Sequence, residues 1–99
     1  MKIRAIKKIR LCSLLLSIGL EEERGEHHIF YYYKYEGKII VRTKMSHGGS
    51  DDITQPILGL IGKQLQLERK DFERFLAGDM TQEEYVDILR EKGIVPWGV

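Results

Sequence analysis

The sequence predicts an α+β domain on three observations. An apolar stripe at helical spacing opens the chain, a central aromatic and β-branched run is split by Glu36-Gly37, and further helical stripes follow residue 54. The first stripe, Ile3, Ile6, Ile9, Leu11, Leu14, Leu15 and Ile18, predicts a helix over 3–18, which Gly19 stops. Leu20 to Arg24 is too charged for a central position and reads as a short edge strand or a connector. Residues 27–35 and 38–43 read as a hairpin about the tight-turn pair Glu36-Gly37.

In the second hairpin strand, Ile39 and Val41 share one face, and Lys38, Ile40 and Arg42 the other. The first strand leaves its buried face open. His27, Ile29, Tyr31, Tyr33 and Tyr35 alternate with His28, Phe30, Tyr32 and Lys34, and either set can form the inside. Ser46 to Ser50 is a loop by composition.

Helix signals resume at Thr54-Gln55-Pro56, with a cap-competent Thr and an early Pro, and Ile57, Leu58, Ile61 and Leu65 form the stripe. Gly59 and Gly62 lower helix propensity there and allow close backbone packing. A short helix over Asp71 to Ala77 turns Phe72, Phe75 and Leu76 inward and ends at Gly78. Thr81-Gln82-Glu83-Glu84 is a capping box for a last helix that carries Tyr85, Ile88 and Leu89 and stops at Gly93. The expected arrangement is a sheet of two or three antiparallel strands covered on one face by helices.

Ninety-nine residues, 42% apolar and 31% charged, suit a single domain over 1–99 with one small core. Cys12 is the sole cysteine, so an intramolecular disulfide is excluded and a reducing, cytoplasmic setting is expected, with Cys12 as a small core residue. The basic residues from Lys2 to Arg10 followed by Leu11 to Leu20 imitate a signal peptide. No small-residue cleavage site follows, however, and the apolar run is well short of the ~20 residues of a membrane span, so no membrane association is expected.

The net charge of +1 is unevenly spread: residues 1–65 carry +4 and residues 66–99 carry −3. An anionic partner should therefore meet the first two-thirds of the chain, with Lys7, Lys8, Arg42 and Lys44 as its candidate contacts. The alternative is that the N-terminal cations merely solvate a helix end.

The clearest pointer to chemistry is Gly25-Glu26-His27-His28-Ile29-Phe30, which leads into Tyr31-Tyr32-Tyr33. Imidazole titrates near neutrality, and a His placed at a strand can act as a general acid or base. Aromatics beside it suit stacking on RNA bases. Tyr31 and Tyr33 are candidates for that stacking, for a protein interface, or for the core. His28 points away from His27 on a strand and reads as structural.

A zinc site from His27, His28, His47 and Asp51 or Asp52 matches no known ligand spacing, so no metal or other cofactor is expected. Gly48-Gly49-Ser50 lacks the long glycine spacing and Lys-Ser/Thr of a P-loop and reads as a turn.

The succession Leu15-Leu16-Ser17-Ile18-Gly19-Leu20, Gly25-Glu26-His27-His28-Ile29-Phe30, Ile40-Val41, His47-Gly48-Gly49 and Ile57 to Leu67 resembles the HicA toxins of bacterial and archaeal toxin–antitoxin pairs. The resemblance covers roughly residues 5–67. It implies a helix, three strands and a helix arranged like a double-stranded-RNA-binding domain, metal-independent cleavage of mRNA, and restraint by a HicB-like antitoxin. The family's Gly-Ser-His motif falls on Gly25, Glu26 and His27, which implies a catalytic role for His27.

The chain departs from the family in three places. Glu26 stands where the family has Ser, the segment from Val41 to His47 is stretched, and residues 68–95 add a helical extension to the 1–67 core.

Cleavage of this kind needs a base for the 2′-hydroxyl proton, an acid for the leaving 5′-oxygen and a cation for the phosphorane charge. His27 is the candidate base and His47 the candidate acid, with Arg42 or Lys44 as the cation. Two other expectations stand beside this one: a non-catalytic RNA- or protein-binding module, and a homodimer in which the tyrosine strand pairs edge to edge with a second copy.

Overall fold

A computed structural model describes residues 4–46, 48 and 51–96 of the chain. The elements run β1 (Ala5–Lys7), α1 (Lys8–Ser17), β2 (Glu21–Arg24), β3 (His28–Tyr35), β4 (Lys38–Ser46), β5 (Asp52–Thr54), α2 (Ile57–Gln64), α3 (Arg69–Leu76) and α4 (Gln82–Glu91). This is the α+β class expected, with β2, β3 and β4 forming a three-stranded antiparallel sheet in chain order.

Helices cover one face of that sheet. Ile29 and Tyr31 of β3 and Val41, Thr43 and Met45 of β4 are buried there with Leu11, Leu14 and Leu15 of α1 and Leu58 and Ile61 of α2. The same buried cluster takes in Phe72, Phe75 and Leu76 of α3 and Tyr85 and Leu89 of α4. Two polar anchors stitch the layers. Thr43 Oγ1 donates to Gln64 Oε1 at 2.7 Å, and the Tyr85 hydroxyl donates to the Leu65 carbonyl at 2.9 Å.

The chain's start departs from expectation. Residues 5–7 are strand, paired antiparallel with β5 (Ala5 with Thr54, Ile6 with Ile53, Lys7 with Asp52), so α1 begins only at Lys8. The three-residue spacing of Ile3, Ile6 and Ile9 imitates a helix, yet the long-range ladder and a Lys7–Asp52 ion pair of 3.1 Å hold residues 5–7 extended. Ile9 is 79% exposed in consequence, and the buried stripe is Leu11, Leu14, Leu15 and Ile18. Thr54 ends β5 rather than capping a helix. At the start of α2 it is the Gln55 side chain that accepts from the Gly59 amide, at 3.0 Å.

The second strand also differs. The register passes from Tyr33 opposite Val41 to Lys34 opposite Ile39, which leaves Ile40 as an extra residue. This bulge breaks the alternation, so Val41 faces the helices, Ile40 packs against the core, and Ile39 turns to the open face at 44% exposure. Ile39 and Val41 therefore do not share a face as their spacing predicts. The strand also runs to Ser46, three residues past the expected end.

A candidate nucleic-acid interface on the open sheet face

The face of the sheet away from the helices is built by register. Directly opposite residues on neighbouring antiparallel strands project to the same side. Glu23, Phe30 and Lys44 form one cross-strand row, and Glu21, Tyr32 and Arg42 the next. Each aromatic thus lies between a carboxylate on β2 and a cation on β4. Phe30 and Tyr32 are half-buried, while Glu21, Glu23, Arg42 and Lys44 are exposed.

Glu23, Phe30, Tyr32, Lys34, Ile39 and Arg42 line a shallow groove of about 320 Å³ on this face. Lys34 Nζ sits 5.4 Å from the centre of the Tyr32 ring, within cation–π range. Among the described residues, no hydrogen bond or ion pair engages the Arg42 or Lys44 side chain.

His27 lies in the turn between β2 and β3, at one end of the sheet, and not on the strand. β3 begins at His28, and residues 25–27 form a turn closed by a hydrogen bond from the Gly25 amide to the His28 carbonyl, 2.8 Å. This frees His27 from the strand's alternation. It is exposed although Ile29 and Tyr31 face inward. A Cβ on Gly25 would lie 3.2 Å from the Phe30 ring, so the turn packs closely onto the first aromatic of the row. His28 is half-buried on the open face with its ring 6.0 Å from that of Phe30, which fits a structural role. Ser46 lies opposite His28.

Two of the candidate base-stacking residues are corrected. Tyr31 is fully buried, its hydroxyl donating to Glu22 Oε1 at 2.5 Å, and no ring face remains for a base. Burial, then hydrogen bonding with Cys12 and Glu22, raises its phenol pKa. Tyr33 also faces the helices and meets Tyr85 edge to face at 6.2 Å. The aromatics on the accessible side are their neighbours Phe30 and Tyr32, which the sequence carries in the same run but without a sign of which set is inside.

Lys7 and Lys8 are both engaged by other parts of the protein. Lys7 pairs with Asp52, and Lys8 Nζ donates to the carbonyls of Ser46 at 3.1 Å and Gly48 at 2.9 Å. Lys8 therefore ties the end of β4 and Gly48 to the start of α1. His47 lies outside the described residues. Cys12 is partly buried and in no disulfide. β3 is paired on both sides, by β2 and β4, which closes the route to a dimer through the edge of the tyrosine strand.

Among the described residues, no three His, Cys, Asp or Glu side chains gather as a metal-holding group. Nor is any helix there long and apolar enough to cross a membrane. The chain matches no protein-family model, no curated protein and no solved structure.

Proposed function

We propose that this chain is a HicA-like RNA endonuclease that works without a metal, with His27 as general base at one end of the open sheet face. The observation that carries the reading is the placement of His27. It is exposed on a turn whose Gly25 packs against Phe30, the first of two open-face aromatics that each lie opposite a β4 cation. With the separate β1–β5 ladder set aside, the succession α1, β2, β3, β4 and then α2 agrees with the helix, three strands and helix of the resemblance and supports a double-stranded-RNA-binding-like core.

In the proposed reaction, His27 takes the proton of a ribose 2′-hydroxyl and the 2′-oxygen attacks the adjacent phosphorus. The phosphorus–5′-oxygen bond breaks, and the leaving oxygen receives a proton from an acid, for which His47 is the candidate. The products are a 2′,3′-cyclic phosphate and a 5′-hydroxyl. Arg42 or Lys44 would hold the phosphate and offset the charge that builds on it. The resemblance also implies a HicB-like partner, and the exposed Ile39 beside Tyr32 is apolar surface such a partner would cover.

A second reading has its own support. Glu26 adjoins His27, and Glu21 and Glu23 lie on the same face, so a carboxylate-rich side surrounds the site. That favours a non-catalytic RNA- or protein-binding module of the same fold. Incubation of purified protein with RNA in EDTA separates the two. Cleavage by the wild type that falls by two or more orders of magnitude in His27→Ala, with RNA binding kept, is the expected result. RNA left intact by both proteins, while a control ribonuclease cuts it, removes the endonuclease reading.

A further inference from the structure

We infer that the open sheet face accepts one RNA strand and rejects a duplex, and that Glu21 and Glu23 are the residues that make this choice. The inference rests on the reading that RNA is the ligand of this face. It does not depend on His27 or on cleavage.

Charge is divided across the strands of the sheet. The rows Glu23–Phe30–Lys44 and Glu21–Tyr32–Arg42 run perpendicular to the strands, with neighbouring strands ~4.8 Å apart and the two rows ~7 Å apart along β3. Both cations lie on β4 and both carboxylates on β2. A single backbone can run along β4 with its phosphates against Arg42 and Lys44, while successive bases turn inward to stack on Tyr32 and Phe30.

Such stacking needs unpaired bases whose faces are free, which a duplex does not offer. A duplex also brings a second phosphate backbone, and it is recognised by contacts to both backbones across its minor groove. Here the second backbone would meet Glu21 and Glu23, exposed carboxylates with no cation of the sheet beyond them, because β2 is the edge strand. Glu22, between them, faces the other way and is held by Tyr31 and by Arg24 at 3.4 Å. The alternation of β2 thus puts its two unengaged acids on the side where RNA would lie.

The test measures binding of the wild-type protein to a short labelled 2′-O-methyl RNA, which cannot be cleaved through its 2′-oxygen, as a single strand and as the duplex of the same sequence. The single strand is expected to bind at least tenfold more tightly. Tyr32→Leu and Phe30→Leu, checked for folding by their urea midpoints, should each weaken single-strand binding about tenfold. Arg42→Ala with Lys44→Ala should flatten the salt dependence by about 0.7 per lost phosphate contact. Glu21→Lys with Glu23→Lys, on an exposed edge strand, should raise duplex affinity more than single-strand affinity.

Duplex binding as tight as single-strand binding overturns the inference, as does a charge reversal that leaves their ratio unchanged. His27-dependent cleavage together with duplex preference would sink this inference and leave the endonuclease standing. Single-strand preference without cleavage would do the reverse. Absence of RNA binding at low salt would end both.

Discussion

Tyr31 and His27 show how much one residue's surroundings decide. In the sequence both fall on the same face of one strand, so an accessible His27 would bring Tyr31 out with it. The turn closed between Gly25 and His28 ends that coupling. Tyr31 is then free to serve the core, where it and Tyr85 have their phenol pKa values raised chiefly by burial. The sign of the consequence is fixed. A tyrosine whose folded-state pKa exceeds its unfolded value of about 10 favours folding below that pH, and the contribution is lost as pH rises past it. Urea midpoints should therefore fall as pH rises above 10, and Tyr31→Phe with Tyr85→Phe should flatten that fall. A midpoint equally sensitive to alkali in the double variant would contradict the assignment.

At the scale of elements, α2, α3 and α4 are locked by contacts that a sequence hints at but does not locate. Gly62 was legible as a site of close packing. The neighbour was not. A Cβ there would stand 2.9 Å from Phe72 Cδ2, and Phe72 is itself stacked on Phe75 at 5.9 Å, so the ring has little room to move. Gly62→Ala should gain helix propensity of up to about 1 kcal/mol yet lose about 1–3 kcal/mol to overpacking, a net destabilisation readable in urea unfolding. A more stable variant would show that the α2–α3 contact yields easily.

The capping box of α4 was fully legible. Thr81 Oγ1 accepts from the Glu84 amide at 3.1 Å, and Glu84 Oε1 accepts from the Thr81 amide at 3.0 Å. Only the tertiary structure adds that Glu84 also binds Arg74 of α3. That guanidinium, followed by the cap, lowers the Glu84 pKa. A depressed carboxylate favours folding above its unfolded value of 4.5, and the contribution is lost as pH falls through the folded value. Glu84→Gln should therefore lose stability at neutral pH and show a shallower acid dependence below pH 4.5 than the wild type. Equal acid slopes in the two proteins would discount the pair.

For the whole molecule, the decisive feature is that one buried cluster joins the sheet to all four helices. Phe72, Phe75, Leu76, Tyr85 and Leu89 belong to that cluster, and Tyr33 of the sheet meets Tyr85 of α4. A chain ending at Leu67 would expose those contacts, so residues 1–67 alone are expected to lose cooperative unfolding and to bind a hydrophobic dye. A sharp two-state transition in that fragment would show that the remainder is dispensable for folding. The RNA reading draws on the same architecture. With the helices all on one side, the opposite side of a three-stranded sheet remains open, and its two aromatic rows become surface.

The elements whose information is local were set by the sequence itself: the α+β class, the hairpin about Glu36-Gly37, the stripe of α1 from Leu11, and the box that starts α4. Their hydrophobic period, turn residues and caps lie within a few positions of one another. Pairings between distant segments were decided by tertiary structure alone. The ladder of β1 with β5 overrode a helical period, a bulge at Ile40 reversed the outlook of Ile39, and the helices chose Tyr31 and Tyr33 over Phe30 and Tyr32 for the inside. A strand with aromatics on both faces has no preferred inside until another layer covers one of them, and here that choice determines which residues remain available to a ligand.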